Sequence, residues 1–179
     1  MNLDTPTNSV DMREETQYTW TAQASTTYTF TITLTSETEF TLELKAGWNM
    51  VSLPVVPDDP AASAVMPPGV FYQLVTWTGT SYALSTEFEA GRGYWLLVLQ
   101  DVDVTVSGPP VDSLSLGLST GWNMVGGTID EVQANDVFPG FYQLVTWTGT
   151  SYALATAFEP GRGYWALVLA NTQIELPPS

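Results

Sequence analysis

The chain of 179 residues contains neither cysteine nor histidine, and each absence excludes a class of chemistry. Without cysteine there are no disulfides, no thiolate nucleophiles and no zinc–thiolate sites. Without histidine the chain lacks the commonest general base and the commonest metal ligand. A hydrolase of the serine–histidine or cysteine–histidine type therefore cannot be assembled. The sequence predicts a protein that is not an enzyme and that carries no cofactor or metal.

Basic residues are also scarce, since four lysines and arginines stand against 19 acidic residues, for a net charge of −15. Proteins that bind nucleic acid or anionic membranes need basic side chains near the phosphates. We therefore expect no nucleic-acid partner. No apolar run approaches the roughly 20 residues of a membrane-spanning helix, so no membrane insertion is expected. The N-terminal residues lack a basic start followed by an apolar stretch, and this chain is expected to have no signal peptide.

The most informative feature that is present is an internal repeat, because residues 71–99 recur almost letter for letter at residues 141–169. A second shared motif, Gly-Trp-Asn-Met-Val, precedes each copy at residues 47–51 and 121–125. Duplication of a unit this long indicates two homologous modules rather than a solenoid. It also doubles a surface, which suits binding or assembly. The aligned blocks differ only at Ser85/Ala155, Glu87/Ala157, Ala90/Pro160 and Leu96/Ala166.

Apolar residues alternate with polar ones in several segments, and this period of two predicts strands. Phe40, Leu42 and Leu44 form one such series, and a threonine-rich series with an apolar face precedes it in the N-terminal region. We predict four parts along the chain: an extended arm at residues 1–16, for which a disordered tail is the alternative, a threonine-rich β-hairpin at 17–38, a first β-module at 39–108 and a second β-module at 113–179.

Each module is expected to contain one short helix among its strands. In the first module a strand is predicted at residues 48–55, Asp59-Pro60 predicts the start of the helix, and Pro67-Pro68-Gly69 predicts its end. In the second module the helix is predicted within residues 130–137. The expected fold is all-β, with two homologous small β-barrel or sandwich modules, each with one short helix, plus the N-terminal hairpin and extended arm.

Two motifs in each module resemble a known repeat. The first module has GWNMVSLP at residues 47–54 and AGRGYW at 90–95, and the second has GWNMV at 121–125 and PGRGYW at 160–165. This combination resembles the GWN…GxGYW repeat module of archaeal and bacterial surface proteins. The second copy departs from the pattern after Val125, where two glycines replace Ser-Leu and the proline is absent. The resemblance implies a non-catalytic module of a surface protein.

The aromatic residues that flank the two predicted hairpin tips are the first candidates for a binding or interface site. Exposed rings on a β-platform could stack on sugars or contact a partner protein. The same rings could instead pair across the strands of each hairpin and stabilise it. Both possibilities are open at the level of sequence. The candidates at the tips are Trp77, Tyr82, Trp147 and Tyr152, and Tyr28 and Phe30 join them from the apolar face of the N-terminal hairpin.

The Gly-Arg-Gly-Tyr-Trp motif has two possible roles. Arg92 and Arg162 could hold an anion or a sugar, or they could form ion pairs with Glu89 and Glu159 while the glycines allow a tight turn. The surplus of carboxylates in this chain would outcompete most anionic ligands, so a structural role is favoured. The set predicted to be structural is completed by Trp48 and Trp122, which are expected to be core anchors.

Carboxylates elsewhere offer no convincing site. Asp101 and Asp103, together with Asp58 and Asp59, could in principle hold calcium. The second module has Asn171 and Gln173 at the positions of Asp101 and Asp103, so capping or solvated roles are expected instead.

These observations lead to one expected function and one alternative. We expect a structural or adhesive protein on an exterior surface, either a decoration-type protein of a virion capsid or a module of the cell envelope. It would act by protein–protein assembly, with itself or with a capsid or envelope protein as the partner. The alternative is a carbohydrate-binding module that uses exposed Trp and Tyr residues at the hairpin tips.

Overall fold

The computed structural model describes residues 37–140 and 142–178. The predicted arm and most of the predicted hairpin, with Tyr28 and Phe30, lie outside the described residues. The first repeat contains β1 (Thr38–Leu44), β2 (Gly47–Val51), α1 (Ala62–Val65), β3 (Phe71–Trp77), β4 (Tyr82–Leu84), β5 (Tyr94–Val98) and β6 (Val102–Gly108). The second contains β7 (Leu114–Leu118), β8 (Gly121–Gly126), β9 (Val132–Gln133), α2 (Ala134–Val137), β10 (Tyr142–Trp147), β11 (Tyr152–Leu154), β12 (Ala157–Phe158), β13 (Gly163–Val168) and β14 (Thr172–Leu176).

The prediction of an all-β fold with two homologous modules and one short helix in each is confirmed for the described residues. Each repeat builds a four-stranded antiparallel sheet, in the order β2-β5-β3-β4 or β8-β13-β10-β11, and a separate two-stranded sheet, β1-β6 or β7-β14. The second repeat also contains a pair of two-residue strands, β9 and β12, which has no counterpart among the strands β1–β6 of the first repeat. The sheets are arranged as a sandwich, and none of those in the described residues closes into a barrel.

Period-two alternation determines which face of each strand is buried. In β1, Leu42 and Leu44 are buried while Thr41 and Glu43 are exposed, and Leu42 lies opposite Val104 of β6. The buried residues of this small sheet pack with those of the larger sheet to form the core of the first repeat. The second repeat has an equivalent core. Tyr94 and Tyr164 are fully buried at matching positions in these two cores.

Both helices are shorter than predicted, and they begin later. Ala61, not Asp59, precedes the first helical residue, and Pro60 lies outside the helix. The reason is that Ala61 is extended and pairs with Glu87, while the Asp59 Oδ1 accepts a hydrogen bond from the Ala61 N–H at 3.0 Å. In the second repeat, pairing of residues 132–133 with 157–158 likewise converts the predicted first turn into a strand.

The two repeats are held together by reciprocal backbone contacts. The Ser52 N–H donates to the Gly161 carbonyl at 3.1 Å, and the Gly126 N–H donates to the Gly91 carbonyl at 2.9 Å. Val51 forms a bridge with Arg162, and Val125 forms the equivalent bridge with Arg92. Contacts in which each repeat presents the same surface to the other are those of a two-fold interface. The chain therefore behaves as a fused dimer with a pseudo-two-fold axis between its repeats.

This close approach explains two glycines of the Gly-Arg-Gly motifs. A Cβ atom at Gly93 would lie 2.6 Å from the Val125 carbonyl oxygen, and one at Gly163 would lie 2.7 Å from the Val51 carbonyl oxygen. Both contacts are with backbone of the opposite repeat, which cannot move aside as a flexible side chain could. The second glycine of each motif is therefore required for docking of the repeats as well as for the local turn.

Candidate functional site

The candidate site lies on the outer face of the two four-stranded sheets. In β3, Leu74 and Thr76 are buried, so Gln73, Val75 and Trp77 point to the opposite face. An antiparallel sheet with one buried face usually has a polar outer face. Here the outer face is apolar and aromatic in both repeats, so it must be covered or must serve as a contact surface.

The centre of this outer face is covered by the other repeat. Met50, Met124 and Trp165 are buried there, in contact with partly buried apolar residues from both sheets. The rings of Trp77 and Trp165 meet edge to face at 5.7 Å between centroids, and Trp95 and Trp147 repeat this contact at 5.7 Å. Edge-to-face geometry at this separation is favourable for aromatic pairs. The aromatic seam thus joins the two sheets and positions the residues around it.

In each hairpin tip, a tryptophan and a tyrosine form the cross-strand aromatic pair considered from the sequence. The same tyrosine also contacts the opposite repeat. Trp77 lies opposite Tyr82 with ring centroids 5.3 Å apart, and Trp147 and Tyr152 show the same distance. Tyr82 also lies 6.1 Å from Trp165, and Tyr152 lies 6.2 Å from the equivalent ring of the first repeat. The tips therefore reach across the pseudo-two-fold axis. Their tyrosines keep about half of their surface exposed, 53% for Tyr82 and 51% for Tyr152.

Two equivalent grooves result from this exchange of tips, with volumes of about 650 and 640 Å³. We call them the Trp48 groove and the Trp122 groove. Each has a floor from one sheet and a wall from the hairpin tip of the other repeat. The Trp48 groove is lined by Trp48, Gln73, Val75, Tyr82, Ala83, Leu84, Trp95, Trp147 and Tyr152. The Trp122 groove is lined by Trp77, Tyr82, Trp122, Gln143, Val145, Tyr152, Leu154 and Trp165.

The prediction that Trp48 and Trp122 are core anchors is wrong. Their exposed fractions are 43% and 42%, and each indole lines a groove on the outer face, from an edge strand of its sheet. The cause is the neighbouring asparagine. Asn49 accepts a hydrogen bond from the Lys45 N–H at 3.0 Å and donates to the Lys45 carbonyl at 2.7 Å, which fixes its side chain in the turn between β1 and β2. The alternation of β2 then directs Trp48 to the opposite face.

The sequence indicates only which residues share a face with Trp48. Met50 and Trp48 are two residues apart in a strand and therefore share a face, while Val51 belongs to the other face with the core. Placing Trp48 in the core is correct only if each sheet has a single apolar face. Sheets with two apolar faces hide this information, because every tryptophan then looks like a core residue.

The grooves combine aromatic rings with a few uncharged polar groups. None of the described residues that line either groove carries a charge, although the chain as a whole is strongly acidic. The polar groups are the primary amides of Gln73 and Gln143, the two tyrosine hydroxyls and the indole N–H groups of the tryptophans. Burial raises the pKa of Tyr152, and the nearby Tyr82 hydroxyl adds to this rise while a hydrogen bond with Trp165 opposes it. Tyr152 is therefore a neutral donor at ordinary pH.

The Gly-Arg-Gly motifs lie beside the seam and form the ion pairs expected from the sequence. Arg92 Nε is 3.1 Å from a Glu89 carboxylate oxygen, and Arg162 Nε is 3.0 Å from Glu159. These pairs are about half exposed. In each motif the buried tyrosine hydroxyl accepts a hydrogen bond from the backbone N–H of the glutamate, at 2.8 Å for Tyr94. The motif thus closes a tight loop at the junction of the repeats.

Two of the acidic residues considered as calcium ligands, Asp101 and Asp59, accept local hydrogen bonds. Asp101 accepts hydrogen bonds from Lys45 Nζ at 3.1 Å and from the Ala46 N–H at 2.9 Å, and these two bonds lower the pKa of its carboxyl group. Asp59 bonds the chain just before α1. Within residues 37–140 and 142–178, no group of three or more acidic residues is placed to hold a metal ion.

Comparison with family models, with curated proteins and with solved structures found no match to this chain. Among the described residues, neither helix has the length and apolar character needed to span a membrane. We therefore infer the function from the geometry of the grooves.

Proposed function

We propose that this protein is a non-catalytic adhesive protein of an exterior surface, and that its two grooves bind uncharged carbohydrate. One observation supports this above the others. Among the described residues, each groove combines exposed indole and phenol rings on a sheet with a single primary amide and no charged group. This is the arrangement that a sugar ring requires, because its C–H face packs on an aromatic ring while its hydroxyls accept and donate hydrogen bonds.

The shape of the site supports a ligand of limited width. Binding sites for small ligands are concave, mostly apolar, and range from about 300 to 1,000 Å³. The two grooves, at about 640 and 650 Å³, fall within that range. A protein partner normally requires a broad patch of roughly 800 Å² on each side. The alternative occupant of this face is a partner protein. Measurements of sugar binding and of self-association distinguish the two occupants.

The exterior location is supported by the resemblance to surface-protein modules and by the charge. A net charge of −15 favours solubility through self-repulsion, and it is best tolerated where salt screens that repulsion. A decoration-type protein of a virion and a module of the cell envelope both fit these properties. An adhesive role suits either setting.

The test is to measure binding of neutral and charged oligosaccharides by calorimetry to the full chain and to the double variant Trp48→Ala/Trp122→Ala. Loss of two exposed indoles should weaken binding of neutral sugars by about 1 kcal/mol per groove, or about fivefold. Tyr72→Ala is the matched control, because Tyr72 is 65% exposed and lines neither groove.

The proposal fails if no neutral oligosaccharide binds. It also fails if size-exclusion chromatography shows that the chain self-associates and that the double variant, but not Tyr72→Ala, abolishes the association. That second outcome would assign the grooves to protein–protein assembly.

A further inference from the structure

We propose that the two grooves form one continuous site, which holds a single linear chain of uncharged sugars across the pseudo-two-fold axis. This inference rests on the proposed function and specifies its ligand as a polymer rather than a single sugar. The observation behind it is that Tyr82 and Tyr152 each line both grooves. Within the part of the chain that the structure describes, no other residue lines both, so the tyrosine pair lies at the boundary between them.

The residues that line only one groove define the path of a ligand through the site. Trp48 and Leu84 line one groove only, and Trp122 and Leu154 line the other only. A ligand that fills both grooves must therefore run from the Trp48 end, past the tyrosine pair, to the Trp122 end.

The rings of Tyr82 and Tyr152 are held in place by their contacts, so they cannot swing to block the passage between the two grooves. Tyr82 packs at 5.3 Å on Trp77 of its own hairpin and at 6.1 Å on Trp165 of the opposite sheet. The hairpin turn below it is fixed by the Thr78 hydroxyl, which donates to the Ser81 carbonyl at 2.9 Å. Tyr152 has equivalent contacts in the other hairpin. The exposed halves of both rings thus offer a fixed surface between the grooves.

The pseudo-two-fold axis determines whether the site can select one direction of the bound polymer. A chain that crosses the axis meets the same residue types on both sides, but in reverse order. The site therefore cannot distinguish the two ends of the chain by its contacts. It favours a repetitive polymer that can bind in either direction.

Continuity predicts a specific dependence on ligand length. A short oligosaccharide occupies the grooves separately, so two molecules bind each protein chain. A longer one occupies both, and its second half binds at the high effective concentration set by the first. The gain from such linkage is commonly about 100-fold or more. Affinity should therefore rise steeply once the ligand spans the tyrosine pair, and the stoichiometry should fall from two to one.

The experiment is isothermal titration calorimetry of the full chain with neutral linear oligosaccharides, from disaccharide to octasaccharide, chosen from a sugar that binds. Trp48→Ala disables one end of the site only. It should leave one binding event for short ligands and remove most of the gain for long ligands. Tyr82→Ala should weaken short ligands in both grooves, because its ring belongs to both. Tyr72→Ala should leave affinity and stoichiometry unchanged, and thermal unfolding of each variant should establish that it is folded.

The outcomes separate the two proposals. Two independent sites with no increase in affinity along the length series would overturn the continuous site and leave the proposed function standing. Binding that Trp48→Ala reduces equally for short and long ligands, with unchanged stoichiometry, would also overturn it. Failure of every neutral oligosaccharide to bind would overturn the proposed function and this inference with it.

Discussion

At the scale of single residues, the Gly-Arg-Gly motif combines two contributions of very different size. The Arg92 side chain forms a half-exposed ion pair with Glu89, whereas the following glycine allows backbone of the two repeats to meet. Exposed ion pairs contribute little because water screens them, and at most about 1 kcal/mol is expected. Overpacking against a fixed backbone costs more, about 1–3 kcal/mol. The glycine is therefore the more important residue for stability.

We expect Arg92→Ala to reduce the free energy of unfolding by less than about 1 kcal/mol, and Gly93→Ala to reduce it by about 1–3 kcal/mol. Urea unfolding of both variants measures the difference. Gly117→Ala is the matched control, because a Cβ atom there would meet nothing within 4 Å. A larger effect of Arg92→Ala than of Gly93→Ala would contradict this account.

The two core tyrosines predict a sensitivity to alkaline pH. Burial raises the pKa of Tyr94 and of Tyr164 to about 12, above the ordinary value of 10.0. Because the folded state holds these protons more tightly than the unfolded state, their contribution to stability is complete below pH 10 and is lost as the pH rises towards 12. Urea unfolding across that range should show the midpoint falling. In the variant Tyr94→Phe/Tyr164→Phe the fall should be smaller, and an equal fall would assign it to other groups.

At the scale of secondary-structure elements, the four-stranded sheets are unusual because both of their faces are apolar. One face packs on the core of its own repeat, and the other forms the aromatic seam with the opposite sheet. A short strand and its turn, rather than a long loop, build the wall of each groove. The seam should therefore contribute to stability as a second core shared by the repeats.

We expect Met50→Ala and Met124→Ala each to destabilise the protein by about 2–5 kcal/mol, because each removes a buried side chain from this seam. The double variant should depart from additivity, since the two methionines belong to one cluster. Equilibrium denaturation measures all three. A loss below about 1 kcal/mol for either methionine would show that the seam is loosely packed.

At the scale of the whole molecule, the chain is a fused dimer that carries an additional N-terminal region. Every strand of the two repeats pairs within residues 37–178, and each repeat has its own core. The alternation of Tyr28, Phe30, Ile32 and Leu34 predicts that the N-terminal region presents an apolar face of its own. From the sequence we expect that region to mediate assembly or attachment to the surface that carries the protein.

Deletion of residues 1–36 should leave both repeats folded and should abolish oligomerisation or attachment. Circular dichroism of the truncated chain reports folding, and light scattering compares its mass with that of the full chain. Sugar binding by the grooves should persist, because the lining residues that the structure describes all remain. If the truncated chain assembles and attaches as the full chain does, the N-terminal region has no role in assembly.

Much of the fold followed from local patterns. Period-two alternation and the duplicated motifs predicted the all-β class, the two modules and the pairing of Arg92 with Glu89. Helix boundaries were predicted less well, because Ala61 and Val132 form β-bridges with residues distant in the sequence, and such pairing overrides the local start signal.

The sequence by itself determined the chemistry that is available: no thiol, no imidazole, few cations and a doubled set of aromatic residues. Only the tertiary structure decided which of those aromatic residues are accessible. Trp48 was assigned to a core that in fact lies on the other side of its strand, and Tyr82 lines a groove whose floor belongs to the opposite repeat. The physical reason is that alternation places a side chain on one of two faces, while packing between the repeats decides how much of that face is covered.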